Sequence, residues 1–193
     1  MRWWIPLLLS GAAAATWAQG VGMSKDAPPR PSPAVVKTQT ILPKPQVIAA
    51  AVTTPGQIEK AAILRAAGFT LRGGAWRSAE CDAPADSAYT PGSIERYEDI
   101  NGDGRPDALV TEESAFCYGM AGTAFWLVSQ EPDGKWSLLT QQTGVAGLLK
   151  TRGVGGWPDL EVGGPGFCFP VLRWNGRTYA LNRHEYEGKA CTA

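Results

Sequence analysis

The segment from Asp99 to Asp107 carries oxygen-bearing side chains at spacings that suit a metal ion. The oxygens come from the side chains of Asp99, Asn101, Asp103 and Asp107 and from the backbone carbonyl of Arg105. Calcium takes about six to eight oxygens, and alternate residues of a tight loop can direct three side chains inward. Gly104 permits the sharp turn that brings the later oxygens to the same centre. These residues predict a Ca²⁺ site; the alternative is a plain hairpin turn whose acidic residues only keep it hydrated.

The sequences on either side of this loop have strand patterns, at 93–98 before it and 108–112 after it. An EF-hand is not indicated, because Val110 stands where that motif requires a bidentate glutamate. A strand, a D-x-N-x-D-G-x-x-D loop and a second strand resemble the calcium loops of FG-GAP and VCBS repeats, the blades of integrin-like propellers. The resemblance implies a structural Ca²⁺ ion and a role in adhesion or ligand recognition outside the cell.

An internal repeat extends the resemblance over about residues 93–182. Gly104 to Val110 is similar to Gly156 to Val162, which indicates two degenerate, blade-like copies at about 93–141 and 150–182. Of the acidic loop positions only Asp159 survives in the second copy, so we expect no metal there. Two copies are too few to close a propeller. We therefore predict a mainly β (α+β) fold of small antiparallel sheets with one N-terminal helix.

The chain divides into three parts by composition. Residues 1–18 have the charge, apolar run and small residues of a signal peptide, with an uncleaved anchor as the alternative. Residues 19–52 form a proline-rich tether. Residues 53–193 form the folded domain, with a helix at 55–67 that Thr54 can cap and Gly68 can end. We expect a periplasmic or secreted protein with no transmembrane segment after signal cleavage.

Four cysteines lie beyond the signal peptide, and an oxidising compartment favours their pairing. Four cysteines allow three connectivities. Because Cys117 and Cys168 occupy equivalent positions in the two copies, we predict the bridges Cys117–Cys168 and Cys81–Cys191. The spacing lacks a C-x-x-C motif, so zinc binding is not indicated.

Charge and the remaining residues restrict the function further. Lysine and arginine together number 18, and so do aspartate and glutamate together. The formal net charge is therefore zero, and no excess of positive charge indicates binding to nucleic acid. Trp157, in a glycine-rich loop of the second copy, is expected to be exposed and is our candidate contact for an envelope glycan or protein.

Enzymatic chemistry is the alternative to a binding role. His184 is the sole histidine and no G-x-S-x-G motif is present, so a serine–histidine mechanism is not indicated. Two carboxylates at a suitable separation can cleave a glycosidic bond. Glu98 and Glu112, on the strands beside the loop, are the candidates for a small periplasmic hydrolase, whereas the binding module needs no catalytic residue.

Overall fold

The computed structural model describes residues 54–84 and 87–192, and the predicted signal peptide (1–18) and the whole of the predicted tether (19–52) lie outside them. The described chain is mainly β with one N-terminal helix, which confirms the predicted fold class. In chain order the elements are α1 (Gln57–Ala66), β1 (Phe69–Arg72), β2 (Ala75–Ser78), β3 (Thr90–Glu98), β4 (Asp107–Glu113), α2 (Ala115–Tyr118), β5 (Thr123–Gln130), β6 (Trp136–Thr143), β7 (Val145–Arg152), β8 (Pro158–Gly163), β9 (Phe169–Trp174), β10 (Tyr179–Tyr186) and β11 (Lys189–Ala190).

Helix α1 lies within the predicted range of 55–67. The prediction that Thr54 caps it is wrong, because Gly56 occupies the N-cap position and provides no side-chain hydrogen bond. The C-terminal end follows the prediction: the N–H groups of Ala67 and Gly68 donate to carbonyls of the last turn, and Gly68 has a φ of 86°. The backbone therefore turns sharply from α1 into β1.

Two antiparallel sheets form the body of the described chain. One sheet has four strands in the order β3-β4-β5-β6, and the other has five in the order β11-β10-β9-β8-β7. Gly144 alone separates β6 from β7, so the chain passes directly from the first sheet into the second. The first predicted copy lies in β3–β6 and the second in β7–β10. A propeller origin for the two copies stays a prediction.

The four-stranded sheet is buried on both of its faces. On one face, Val110 of β4 and Trp126 of β5 lie in a hydrophobic core with α1 and with Phe69 of β1. On the other face, Leu109 and Phe125 lie in a second core with residues of β8, β9 and β10. Successive side chains of a strand point to opposite faces, so β4 and β5 must be apolar at nearly every position. This accounts for the apolar run after the acidic loop.

Candidate cation loop and its surroundings

The predicted cation loop joins β3 to β4, and the Asp99 carboxylate is the centre of its hydrogen bonding. Asp99 Oδ1 accepts hydrogen bonds from the backbone N–H groups of Gly102 at 2.7 Å and Asp103 at 3.0 Å. Asp99 Oδ2 accepts from the N–H of Gly104 at 2.8 Å. Both glycines have positive φ, 83° and 86°, which L side chains rarely adopt. The loop is therefore curled around the first predicted ligand.

Asn101, Asp103 and Arg105 form the outer part of the loop. Asn101 Oδ1 accepts from the N–H of Asp103 at 3.0 Å, and Asp103 Oδ1 accepts from the N–H of Arg105 at 2.9 Å. Burial opposes ionisation of Asp103, but hydrogen bonds from Asn101 and Arg105 outweigh it and hold the pKa of this carboxyl below its usual value. The Arg105 side chain also donates to the carbonyl of Gln130 at 2.8 Å, an anchoring contact that the sequence did not indicate.

Asp107 occupies the base of the loop and differs from the other ligand candidates. Its side chain is fully buried at the start of β4. Oδ2 accepts a hydrogen bond from the N–H of Ile100 at 2.9 Å, whereas Oδ1 has no partner among the described residues. Burial raises the pKa of Asp107 to about 6, and the nearby Ser129 hydroxyl and the backbone N–H groups of Ile100 and Asn101 oppose part of that rise. A buried carboxylate with a bare oxygen is costly for a fold, and a cation is one group that can satisfy it.

The five predicted ligands lie in one loop, but they are not assembled into a coordination shell. Within residues 54–84 and 87–192, no three His, Cys, Asp or Glu side chains converge as metal ligands do. Asp99 and Asp103 instead accept hydrogen bonds from the backbone of their own loop. Carboxylate oxygens have further lone pairs, so these bonds do not exhaust their capacity to bind a cation. Binding would require the backbone of residues 102–105 to adjust.

In the second copy, arginines neutralise the aspartate that corresponds to Asp107. Asp159 is also fully buried, and it lies near the start of β8 as Asp107 does in β4. Its carboxylate accepts from Arg173 at 2.8 Å, from Arg183 at 2.7 Å and from the Thr151 hydroxyl at 2.6 Å. The hydrogen bonds from Arg173 are the largest of the contributions that hold the pKa of Asp159 far below its usual value. The guanidinium groups of Arg173 and Arg183 thus neutralise Asp159, whereas Asp107 has no ion pair among the described residues.

The prediction that Trp157 is exposed is wrong. The side chain is 6% exposed, and its ring lies 6.3 Å from that of Trp174 and 6.5 Å from that of Tyr179. The loop of the second copy turns its tryptophan into the space between the two sheets, where it fills the core. Among the described residues, the exposed aromatic side chains are Phe116 and Phe167, at 66% and 76%, each directly before a cysteine.

The predicted disulfide pairing is also wrong. The bridges are Cys81–Cys117 and Cys168–Cys191. Cys81 and Cys117 lie at the core beside α1, whereas Cys168 precedes β9 in the other sheet, so equivalent positions in the two copies are not neighbours in space. Each bridge closes a loop within one side of the molecule. Two disulfides are consistent with an exported protein.

The two carboxylates of the alternative hydrolase are not brought together. Glu112 is fully buried and accepts hydrogen bonds from the N–H of Ser78 at 3.0 Å, from the Ser78 hydroxyl at 2.5 Å, and from the hydroxyls of Tyr89 and Tyr118. Glu98 is paired with Arg96 at 3.2 Å and lies opposite Asp107, at the far end of β4. Five residues of strand, roughly 17 Å, separate the two positions. The buried cluster around Glu112 had no sequence signal, because its donors come from distant segments.

Comparisons with known proteins leave the chain without a family assignment. The sequence matches no family model, and no curated protein or solved structure is significantly similar to it. In the part of the chain that the structure describes, no helix is long and apolar enough to cross a membrane. Fold and site together define, for the described residues, a disulfide-bonded protein of three antiparallel sheets, the two larger of which pack together, with an acidic loop between β3 and β4. The likeness to FG-GAP and VCBS loops stays a prediction from the sequence.

Proposed function

We propose that this protein is an exported, non-catalytic binding module of the cell envelope in which Ca²⁺ stabilises the loop between β3 and β4. The observation that carries the proposal is Asp107, a fully buried carboxylate with one unpartnered oxygen within the described chain, at the base of a loop rich in oxygen ligands. Asp103 is already paired with the Arg105 guanidinium at 2.5 Å, so a cation held there would neutralise chiefly Asp99 and Asp107. Binding energy would then become folding energy.

The donor set favours a hard divalent cation. Three carboxylates, the Asn101 amide oxygen and the Arg105 carbonyl are all oxygen ligands, which suit Ca²⁺ better than softer metals. Because the loop must adjust before its oxygens converge, we expect a dissociation constant of about 10⁻⁴–10⁻³ M, as in other extracellular modules. That range suits a protein exported to a calcium-containing compartment.

A groove of about 300 Å³ beside the loop is the surface to which we assign the ligand. It runs between Arg96 and Glu98 of β3 and Lys150 and Arg152 of β7, and Asp99 lies at its edge. The polar lining suits an envelope glycan or protein with acidic groups. The hydrolase alternative gains no support, because Glu112 faces the core and is not in the groove.

Calcium titration tests the proposal, with Asp103→Ala as the loop variant. Asp133→Ala is the matched control: Asp133 lies in a second Asp-Gly turn and pairs with Lys135 at 2.6 Å, outside the loop. At 10 mM Ca²⁺ and a dissociation constant near 1 mM, binding stabilises the fold by about 1.4 kcal/mol. This corresponds to a rise in Tm of roughly 3–6 °C. We expect the rise in the wild type and in Asp133→Ala, and none in Asp103→Ala.

Calorimetry and cosedimentation complete the test. Heat of binding in the wild type that is lost in Asp103→Ala would place the ion in the loop, and Mg²⁺ serves as the comparison cation. Cosedimentation with purified peptidoglycan, in Ca²⁺ and in EDTA, tests the binding role. No heat and no change in Tm at 10 mM Ca²⁺ would show that the loop is a plain turn and would end the proposal.

A further inference from the structure

The loop of the second copy contacts the candidate cation loop directly. The guanidinium of Arg152, at the end of β7, donates from Nη1 to the carbonyl of Ile100 at 3.1 Å and also to the carbonyl of Gly156. Ile100 in turn donates its N–H to Asp107. The backbone at Ile100 is therefore held on one side by a predicted cation ligand and on the other by Arg152.

Gly156 makes the second contact between the two loops. A Cβ atom added to Gly156 would lie 2.3 Å from the carbonyl oxygen of Asn101, closer than atoms can approach. The backbone of Gly156 also has a φ of +79°. Only glycine combines this backbone conformation with so close an approach. The carbonyl of Asn101 thus rests directly against the second loop.

We propose that Arg152 and Gly156 are positioning residues for the cation loop, so that the loop of the predicted second copy supports the loop of the first. This inference rests on the proposed function and specifies which residues set the affinity of that site. The two contacts fix the backbone at residues 100 and 101, so only residues 102–105 must rearrange before the oxygens converge on an ion. A loop with fewer residues left to order binds Ca²⁺ more tightly than a free one.

The positive charge of Arg152 allows a positioning role to be distinguished from a purely electrostatic effect on Ca²⁺ binding. A positive side chain beside the loop repels a divalent cation, so loss of its charge alone should tighten Ca²⁺ binding. Loss of a positioning contact should weaken binding, because outer-shell partners of a metal site commonly contribute about 10–100-fold to its affinity. The two explanations therefore predict changes of opposite sign in the dissociation constant.

The first experiment measures Ca²⁺ affinity by calorimetry for Arg152→Met and for Arg177→Met. Arg177, between β9 and β10, is exposed, lies outside the groove, and its side chain has no hydrogen bond or ion pair within the described chain, so its variant makes the same change of residue type without the contact. We expect binding to weaken about tenfold in Arg152→Met and to stay unchanged in Arg177→Met. Arg152→Lys, which keeps a donor, should recover part of the loss.

The second experiment compares Gly156→Ala with Gly155→Ala. Both glycines have positive φ, +79° and +65°, so both alanines bring similar backbone strain. A Cβ on Gly155 would meet only the Trp157 ring, at 3.8 Å, and would not touch the cation loop. We expect weaker Ca²⁺ binding, by about tenfold, in Gly156→Ala alone. If Gly156→Ala does not fold, the Arg152 series decides the question.

The outcomes separate this inference from the function on which it rests. A wild-type protein that does not bind Ca²⁺ overturns both. Wild-type binding with an unchanged or tighter dissociation constant in Arg152→Met overturns the positioning role and leaves the proposed function standing. Circular dichroism at the titration temperature confirms that each variant compared is folded.

Discussion

Replacing Asp107 by Asn should stabilise the protein when calcium is removed. Burial raises the pKa of this carboxyl from 3.8 to about 6, so the folded state binds the proton more tightly than the unfolded state does. The tighter proton binding by Asp107 contributes fully to the stability of the folded state below about pH 3.8, and this contribution is lost as the pH rises through about 6. A tenfold change in proton affinity is worth about 1.4 kcal/mol, so the loss approaches about 3 kcal/mol at neutral pH.

Asparagine keeps an oxygen for the N–H of Ile100 and carries no charge. In EDTA at pH 7.5 we therefore expect Asp107→Asn to raise the free energy of unfolding by about 1–3 kcal/mol, and the gain should vanish near pH 4. Urea denaturation followed by tryptophan fluorescence, at pH 7.5, 5.5 and 4, measures the difference at each pH.

Calcium should stabilise the wild type more than it stabilises Asp107→Asn. The wild type gains stability from Ca²⁺, whereas Asp107→Asn, which lacks one of the predicted ligands, gains little. The reasoning would be refuted by an Asp107→Asn protein that is less stable than the wild type in EDTA at pH 7.5. That result would mean that the ionised carboxylate already has adequate partners in the fold.

Two further substitutions test the other buried carboxylates. Glu112→Gln turns an amide donor toward the hydroxyl of Tyr118, and we expect a loss of about 2–4 kcal/mol in urea denaturation with unchanged Ca²⁺ affinity, because the cluster lies on the opposite face of β4. The double variant Arg173→Met/Arg183→Met leaves Asp159 buried without a cation and should lose about 3–5 kcal/mol at pH 7. Because the pKa of Asp159 is depressed, the loss should shrink as the pH falls below about 4, and an undiminished loss at pH 3 would contradict this account.

Local sequence patterns predicted much of the secondary structure but not all of it. Helix α1 and the two strands beside the acidic loop follow from residue spacing. No pattern predicted β7 (Val145–Arg152), the edge strand of the second sheet. The start of α1 was less well predicted. Gly56 takes the N-cap position expected of Thr54 and provides no side-chain hydrogen bond.

The long-range features were predicted wrongly from the sequence for a common reason. The burial of Trp157 and the pairing of Cys81 with Cys117 depend on how the two sheets pack, which involves contacts between residues far apart in the chain. The internal repeat stays a prediction. Its use for disulfide prediction failed because equivalent cysteines lie on different sides of the molecule.

The sequence by itself determined which oxygens the loop from Asp99 to Asp107 offers and in what order, because that depends only on residue type and spacing. The tertiary structure decided how deeply those oxygens are buried and which groups lie beside them. The packing of the second sheet over β4 removes Asp107 from water and sets Arg152 and Gly156 against the loop. Burial and charge balance arise between segments about fifty residues apart. No local pattern can encode them.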